Sequence, residues 1–350
     1  LGTVSLRDFC NRDEMGIPPY LDVISVIDHH KTVLNTFAPP MALLSDAQSS
    51  NTLVAQKAFE INDANRRKPN YIHPQREYIE YLHFLYGIID DTDLLSKVSA
   101  VDVQCVASLL NRLKSLTLGK KTAMIEIDDL PRDPHFPKKA AERILQNEDM
   151  YSLYRKVYQY REKEIEKNIT LCAKGESSNL FADTKEQNGC CRVGQTKIFS
   201  ANVDPFEKNV SHIRHAWFHK AMKVHKEKAD IALHIHMIST IVNAEEVYKG
   251  GVGKYKHQDE LWLWIPDTET AIENLKRFLT SFQSSPGFKN NPVQVTFLGS
   301  NADGLGAIFK ESFLDIPQKK RDTKLPIAVL KYRAGSLNSR KAMVSPYLPK

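Results

Sequence analysis

VISVIDHHK, residues 23–31, runs an apolar stretch into one carboxylate and two imidazoles. A short apolar run that ends in a polar cluster reads as a buried strand of the kind found in parallel sheets. Ligands of open parallel sheets bind beyond the carboxyl ends of the strands. Asp28, His29 and His30 stand at such an end. Two surface histidines in a loop would be the plainer explanation, but two other apolar runs also finish in acid. "VSLRD" offers Asp8, and "LYGIIDDTD" at 85–93 offers Asp90, Asp91 and Asp93. Oxygen and imidazole donors without cysteine favour manganese, magnesium or cobalt over structural zinc.

Outward from that strand, short apolar runs alternate with helical patterns. "LDVISVI" is a strand, and "NTLVAQKAFEI" places Val54, Ala58 and Ile61 at helical spacing. "YLHFLYGII" fits helix or strand, while "VDVQCVASLLNRLKSL" lines up Val103, Val106, Leu110 and Leu113 behind a Ser99/Asp102 capping box. Such alternation predicts an α/β fold with a parallel sheet over 1–118. Residues 119–137 collect Pro131, Pro134 and Pro137 as a linker, and a charged helix covers 138–169. A smaller α/β domain is expected over 161–350, with 119–160 as the connection. Its clearest unit is the strand "ELWLWIP" followed by the helix "DTETAIENLKRFL".

A chain of 350 residues, 42% hydrophobic, is long for one core and suits two domains. No run approaches the roughly 18 apolar residues of a membrane span. Five cysteines at irregular spacing predict thiols, including the adjacent Cys190 and Cys191, in a reducing cytoplasmic setting. A net charge of +6 suits a polyanionic ligand. Nucleic acid is not expected, because no zinc-finger spacing, RNA-recognition box or dense basic block is present. The chain opens on the "VSL" strand with nothing before it, and reads as a fragment that begins inside a unit.

"VIDHH" resembles the Asp-His-His motif of the DHH phosphoesterase superfamily, whose members hydrolyse phosphate bonds at a paired-metal site. Asp8 lies 20 positions before Asp28, where that family carries an earlier Asp, and Asp91-Thr92 matches its later Asp-Thr pair. "SSNTLV" at 49–54 is similar to the helix start found there. The closing "SLNSRKAMVSPYL" resembles the Ser-Arg-Lys ending of family II inorganic pyrophosphatases and exopolyphosphatases, and "LFADTKE" resembles their lysine-presenting segment. "TFLGSNADGLGAIFKESF" at 296–313 looks more like the exopolyphosphatases. "GGVGKYK" at 250–256 lacks the histidine of nuclease-type relatives and reads as a turn. The family's first motif, His/Asn-x-Asp-x-Asp, does not precede Asp8, so ligands of one metal are expected upstream of Leu1.

The resemblance implies two divalent ions, manganese by preference, in the cleft between the domains. Asp8 would bridge them, and His29 and Asp91 would complete the second. His30 would face the substrate and Asp28 would orient the motif from behind. Lys185, Arg340 and Lys341 would grip the phosphates from the second domain, with Arg214 as a further substrate contact. The reaction implied is exopolyphosphatase activity on inorganic polyphosphate; inorganic pyrophosphatase is the alternative, and a non-catalytic binding module the further one. His234 and His236, two apart in a strand, suit a structural role in the absence of a third ligand, and Trp262 and Trp264 read as packing.

Overall fold

The computed structural model of the chain describes residues 2–13, 15–30, 34–69, 71–118, 124–127, 135–180, 183–187, 191–201, 203–241, 258–266, 269–285, 288, 293–297, 319–320 and 325–348. Two compact units divide it, Leu1–Arg161 and the longer Glu162–Lys350. The fold is α/β, with a parallel sheet in the first unit and a mixed sheet in the second.

In the first unit β1 (Gly2–Arg7), β2 (Leu21–Asp28) and β3 (Met41–Leu44) form a parallel sheet in that order. Val23, Val26 and Ile27 of β2 are buried while Ile24 is exposed. All four residues of β3 are exposed, so this strand carries no pattern from which to read it. Three helices follow the strands: α1 (Ser50–Asn65), α2 (Pro74–Asp91) and α3 (Ala100–Leu118).

The ambiguous run at 81–89 is the second half of α2. His73 caps the helix by accepting from the Gln75 amide, and Pro74 occupies its first position, where a missing N–H costs nothing. Tyr81, Leu85 and Ile88, spaced four and three apart, are completely buried. Asp91 therefore closes a helix rather than a strand. The capping box of α3 forms as a reciprocal pair, Ser99 N to Asp102 Oδ2 at 2.9 Å and Asp102 N to Ser99 Oγ at 3.3 Å. The charged segment is two helices, α4 (Phe136–Gln146) and α5 (Glu148–Lys174), broken at the extended Asn147.

The second unit holds seven strands in the order β4-β5-β6-β7-β10-β8-β9. They are β4 (Asp183–Gln187), β5 (Cys191–Ser200), β6 (Ile231–Thr240), β7 (Gln258–Trp264), β8 (Gln294–Phe297), β9 (Lys319–Lys320) and β10 (Ile327–Arg333). β5 and β6 are parallel and are joined through α6 (Val203–Glu227), as parallel neighbours require a crossover. α7 (Glu269–Gln283) follows β7, and the four-residue α8 (Arg340–Met343) follows β10.

Central strand β6 is buried along nearly its whole length. Leu233, Ile235 and Met237 share a core with Leu275, Phe278 and Phe282 of α7. The alternate residues His234 and His236 lie against Trp264 and Trp262, with Trp217 of α6 beside His236. Burial pushes both histidines down to about 3, so they pack as neutral rings.

No described helix is long and apolar enough to cross a membrane. Cys10, Cys105 and Cys172 are buried thiols outside any disulfide. Cys190, the Cys191 side chain, the turn at 250–256 and all of 296–313 except Thr296 and Phe297 lie outside the described residues.

Candidate metal centre

Asp8 leaves β1 in a left-handed conformation, φ 66°, while its amide still bonds to Ile27 O of β2 at 2.9 Å. Asp tolerates that region better than most residues, yet it remains a strained geometry of the sort that gathers at functional sites. The turn brings Asp8 Oδ1 to 3.1 Å from His29 Nε2.

His29 Nδ1 lies 2.9 Å from Ala47 O. A carbonyl only accepts, so Nδ1 carries the proton and Nε2 is the nitrogen offered toward Asp8. Asp8 Oδ1 is buried and receives no hydrogen bond. Two electron-pair donors that meet at one point need a cation or a proton between them. The ligand atoms of Asp8, Asp28, His29 and His30 all lie within 4.8 Å of one another. This donor set, oxygen with imidazole and no thiolate, fits a hard or borderline divalent cation.

Asp28 ends β2 with its side chain completely buried. Its Oδ1 accepts from His29 N at 2.8 Å, His30 N at 3.1 Å and His30 Nδ1 at 2.8 Å. Burial alone would raise this carboxyl, but the His30 amide and ring, Cys10 and the His29 amide together hold it below the usual range. With its Nδ1 proton committed to Asp28, the partly exposed His30 ring keeps Nε2 for a ligand.

Three acids in "IIDDTD" compete for the site, and their partners separate them. Asp90 pairs with Arg161 at 2.5 Å, and Asp93 with Lys97 at 3.0 Å. Asp91 accepts from Ser49 Oγ at 2.5 Å. Its surface is open to solvent, yet the protein around its carboxyl and the negative charge of Asp8 raise its proton affinity against the opposing effects of Ser49 and His29. Asp91 thus belongs to the electrostatic surroundings of Asp8 and His29, though not to the 4.8 Å group. Beyond it, Asp93, Leu94 and Leu95 are all left-handed, a strained turn stapled by Lys97 N to Thr92 O at 3.1 Å.

Positioning groups come from the loop between β3 and α1, where the "SSNTLV" resemblance marks a helix start but not the contacts it makes. Ser49 is the N-cap of α1, accepting from Asn51 N while it donates to Asp91. Asp102 binds the same loop through Gln48 N at 2.9 Å and Thr52 Oγ1 at 2.6 Å. The capping-box pattern at Ser99 and Asp102 was the available signal, but it marks a helix start and says nothing of the second partner.

The cations expected around the phosphates lie in the second unit. Lys185 sits on β4 opposite Val193, and its side chain is outside the described residues, as is that of Lys341. Arg340 opens α8 with Nη1 3.4 Å from Gln195 O. Lys197, which no motif marks, donates to Asn338 O at 2.9 Å, two residues before Arg340. Arg214 has a partner in its own unit. Its Nη2 is 2.8 Å from Oε2 of the buried Glu260, and its guanidinium faces the Trp262 ring. Burial favours a protonated Glu260, but Arg214 and Lys331 reverse that and hold its carboxyl below the usual range.

No protein-family model matches the chain, and no curated protein matches it by sequence. Among solved structures, a candidate family II inorganic pyrophosphatase from Methanococcus jannaschii is similar over 79% of this chain and 70% of its own, at 16% identity and a TM-score of 0.46. A likeness of that size is too weak to carry an activity from one chain to the other.

Proposed function

We propose that this chain hydrolyses phosphoanhydride bonds with the help of divalent cations, manganese by preference, and that inorganic pyrophosphate and polyphosphate form its substrate class. The observation that carries the reading is the meeting of His29 Nε2 and the unbonded Asp8 Oδ1 at 3.1 Å, with the His29 tautomer set from behind by Ala47. Asp8 and His29 would hold the cation, and Asp91 would add its charge. Bound there, the cation supplies Lewis-acid charge for phosphoryl oxygens and a lowered pKa for the attacking water.

The chain's own residues do the rest. Asp28 fixes the His30 ring through Nδ1, which leaves Nε2 free to face a phosphoryl or leaving oxygen as a proton donor. Lys185, Arg340 and Lys341 are proposed as the charges that hold the phosphates, the arginine by a two-pronged contact and the lysines as point charges.

Phosphate release from pyrophosphate and from long-chain polyphosphate, measured with Mn2+, Mg2+ and Co2+ and alongside Mn2+ titration calorimetry, tests the reading. Metal-dependent release from either substrate, lost in His29→Ala together with Mn2+ binding, is the expected result. Mn2+ binding unchanged by His29→Ala, or no release with any of the three ions, would overturn it.

A further inference from the structure

We propose that the cleft between the end of α5 and the middle of α6 is a docking site for an extended inorganic phosphate chain. The ligand class follows from the proposed function, but the binding is measurable without turnover. The cleft is an open surface groove of about 480 Å³ within the second unit. Lys174, His212, His215, His219, Lys220 and Lys223 line it, over a floor of small residues such as Ala216. No carboxylate is among its lining residues.

The spacing on α6 makes this a strip and not a point. His212, His215, His219 and Lys223 follow one another at intervals of three, four and four, which places them along one helix face. All four are exposed. At 1.5 Å per residue the strip is about 16 Å long. Pyrophosphate, two phosphate groups in length, covers about one helical turn of it, whereas a chain of phosphates can engage both ends. His215 Nδ1 lies 2.8 Å from Ser211 O, which fixes that ring with Nε2 pointing away from the helix backbone.

Other occupants fit less well. His215 and His219 have the separation of a chelating pair, but three ammonium groups line the same cleft and oppose a bare cation. A single nucleic acid strand would want large aromatic faces for base stacking, and the lining has no Phe, Tyr or Trp, only imidazoles.

Affinity of the full chain for long-chain polyphosphate, measured in EDTA so that no hydrolysis intervenes, tests the assignment. Lys174 and Lys223 are exposed, so the double variant Lys174→Gln/Lys223→Gln leaves packing alone, and thermal melting checks this. Removing two phosphate contacts is expected to weaken binding by about tenfold and to flatten the salt dependence by about two units of slope. The charge-matched control Lys68→Gln/Lys276→Gln, at exposed positions elsewhere, is expected to stay within about twofold of the parent.

Unchanged binding in the double variant, equal losses in the control, or single-stranded RNA bound as tightly as polyphosphate would each overturn the proposal. Chain binding without any phosphate release would leave the docking site standing and remove the proposed function. Release with no effect of the double variant on binding would do the reverse.

Discussion

His29 Nδ1 is held 2.9 Å from the carbonyl oxygen of Ala47, and that bond aims the opposite ring nitrogen at Asp8. The orientation is thus imposed by the loop between β3 and α1, which is itself anchored on Asp102 and on Ser49 at the head of α1. A centre assembled in this way depends on residues that never touch a ligand.

Asp102→Ala should therefore act at two levels. It strands the buried or partly buried donors Gln48 N, Thr52 Oγ1 and Ser99 N, at a cost of about 3 kcal/mol or more. Mn2+ affinity should fall by about tenfold under conditions where the variant stays folded. Asp102→Asn, which keeps one acceptor oxygen, should recover part of both effects. Calorimetry that finds native Mn2+ affinity in Asp102→Ala would show that the loop does not set the ring.

Gly87 packs α2 against α1 so closely that a Cβ there would lie 2.5 Å from Asn51 Nδ2 and 2.7 Å from its Cγ. Asn51 in turn lies 3.4 Å from Ser49 Oγ, the group bonded to Asp91. Crowding of this kind costs about 1–3 kcal/mol, offset by about 1 kcal/mol from the better helix propensity of alanine. Gly87→Ala should lower the urea midpoint, and adding Asn51→Ala should restore it. Equal midpoints for Gly87→Ala with and without Asn51→Ala would place the cost elsewhere.

Asp28→Ala removes the shared acceptor of His29 N, His30 N and His30 Nδ1. The His30 ring then loses its tether, and phosphate release should fall by at least about tenfold in kcat with a smaller change in KM, because the loss concerns proton donation more than binding. An effect confined to KM would assign Asp28 to substrate binding instead.

In the second unit the completely buried Asp259 accepts from Leu337 N at 2.6 Å and Thr240 N at 2.8 Å. Burial nevertheless pushes its carboxyl up to about 6, against those bonds and the charge of Lys197. Between about pH 4 and pH 6 the folded chain keeps a proton that the unfolded chain has released. Stability contributed at this position is therefore largest below pH 4 and falls as pH rises through the window, by up to about 3 kcal/mol. Asp259→Asn does not titrate, so its stability relative to the parent should improve from pH 4 to pH 7. Urea midpoints with parallel pH profiles would contradict the assignment.

Residue order was enough for the elements whose burial is one-sided. α3 writes its inner face, Val103, Val106, Leu110 and Leu113, into a period of 3.6, as α7 does with Leu275 and Leu279, and capping residues mark where helices start. In α1, by contrast, Ile61 is exposed and the buried residues include Leu53 and Ala55 in place of Val54 and Ala58, and β7 is buried along nearly its whole length. β3 escaped because every residue of it is exposed, and residues 81–89 stayed ambiguous because a dense apolar run carries no clear period. Chemical type at the candidate centre was equally legible, in the Asp-His-His run and in the acids that follow apolar stretches.

Which of those acids turns toward His29 was not legible from periodicity or composition. Local pattern does not separate Asp90, Asp91 and Asp93, which only the Asp91-Thr92 resemblance tells apart; in the fold Arg161 and Ser49 reach Asp90 and Asp91 from distant segments, while Asp93 takes its near neighbour Lys97. The contacts that aim the site join positions 18 apart, His29 to Ala47, and 42 apart, Ser49 to Asp91. Composition and local spacing determine which donor atoms a chain possesses. Only packing over such separations decides which lone pairs face one another, since that is set by the backbone turns and helix contacts that bring the segments together.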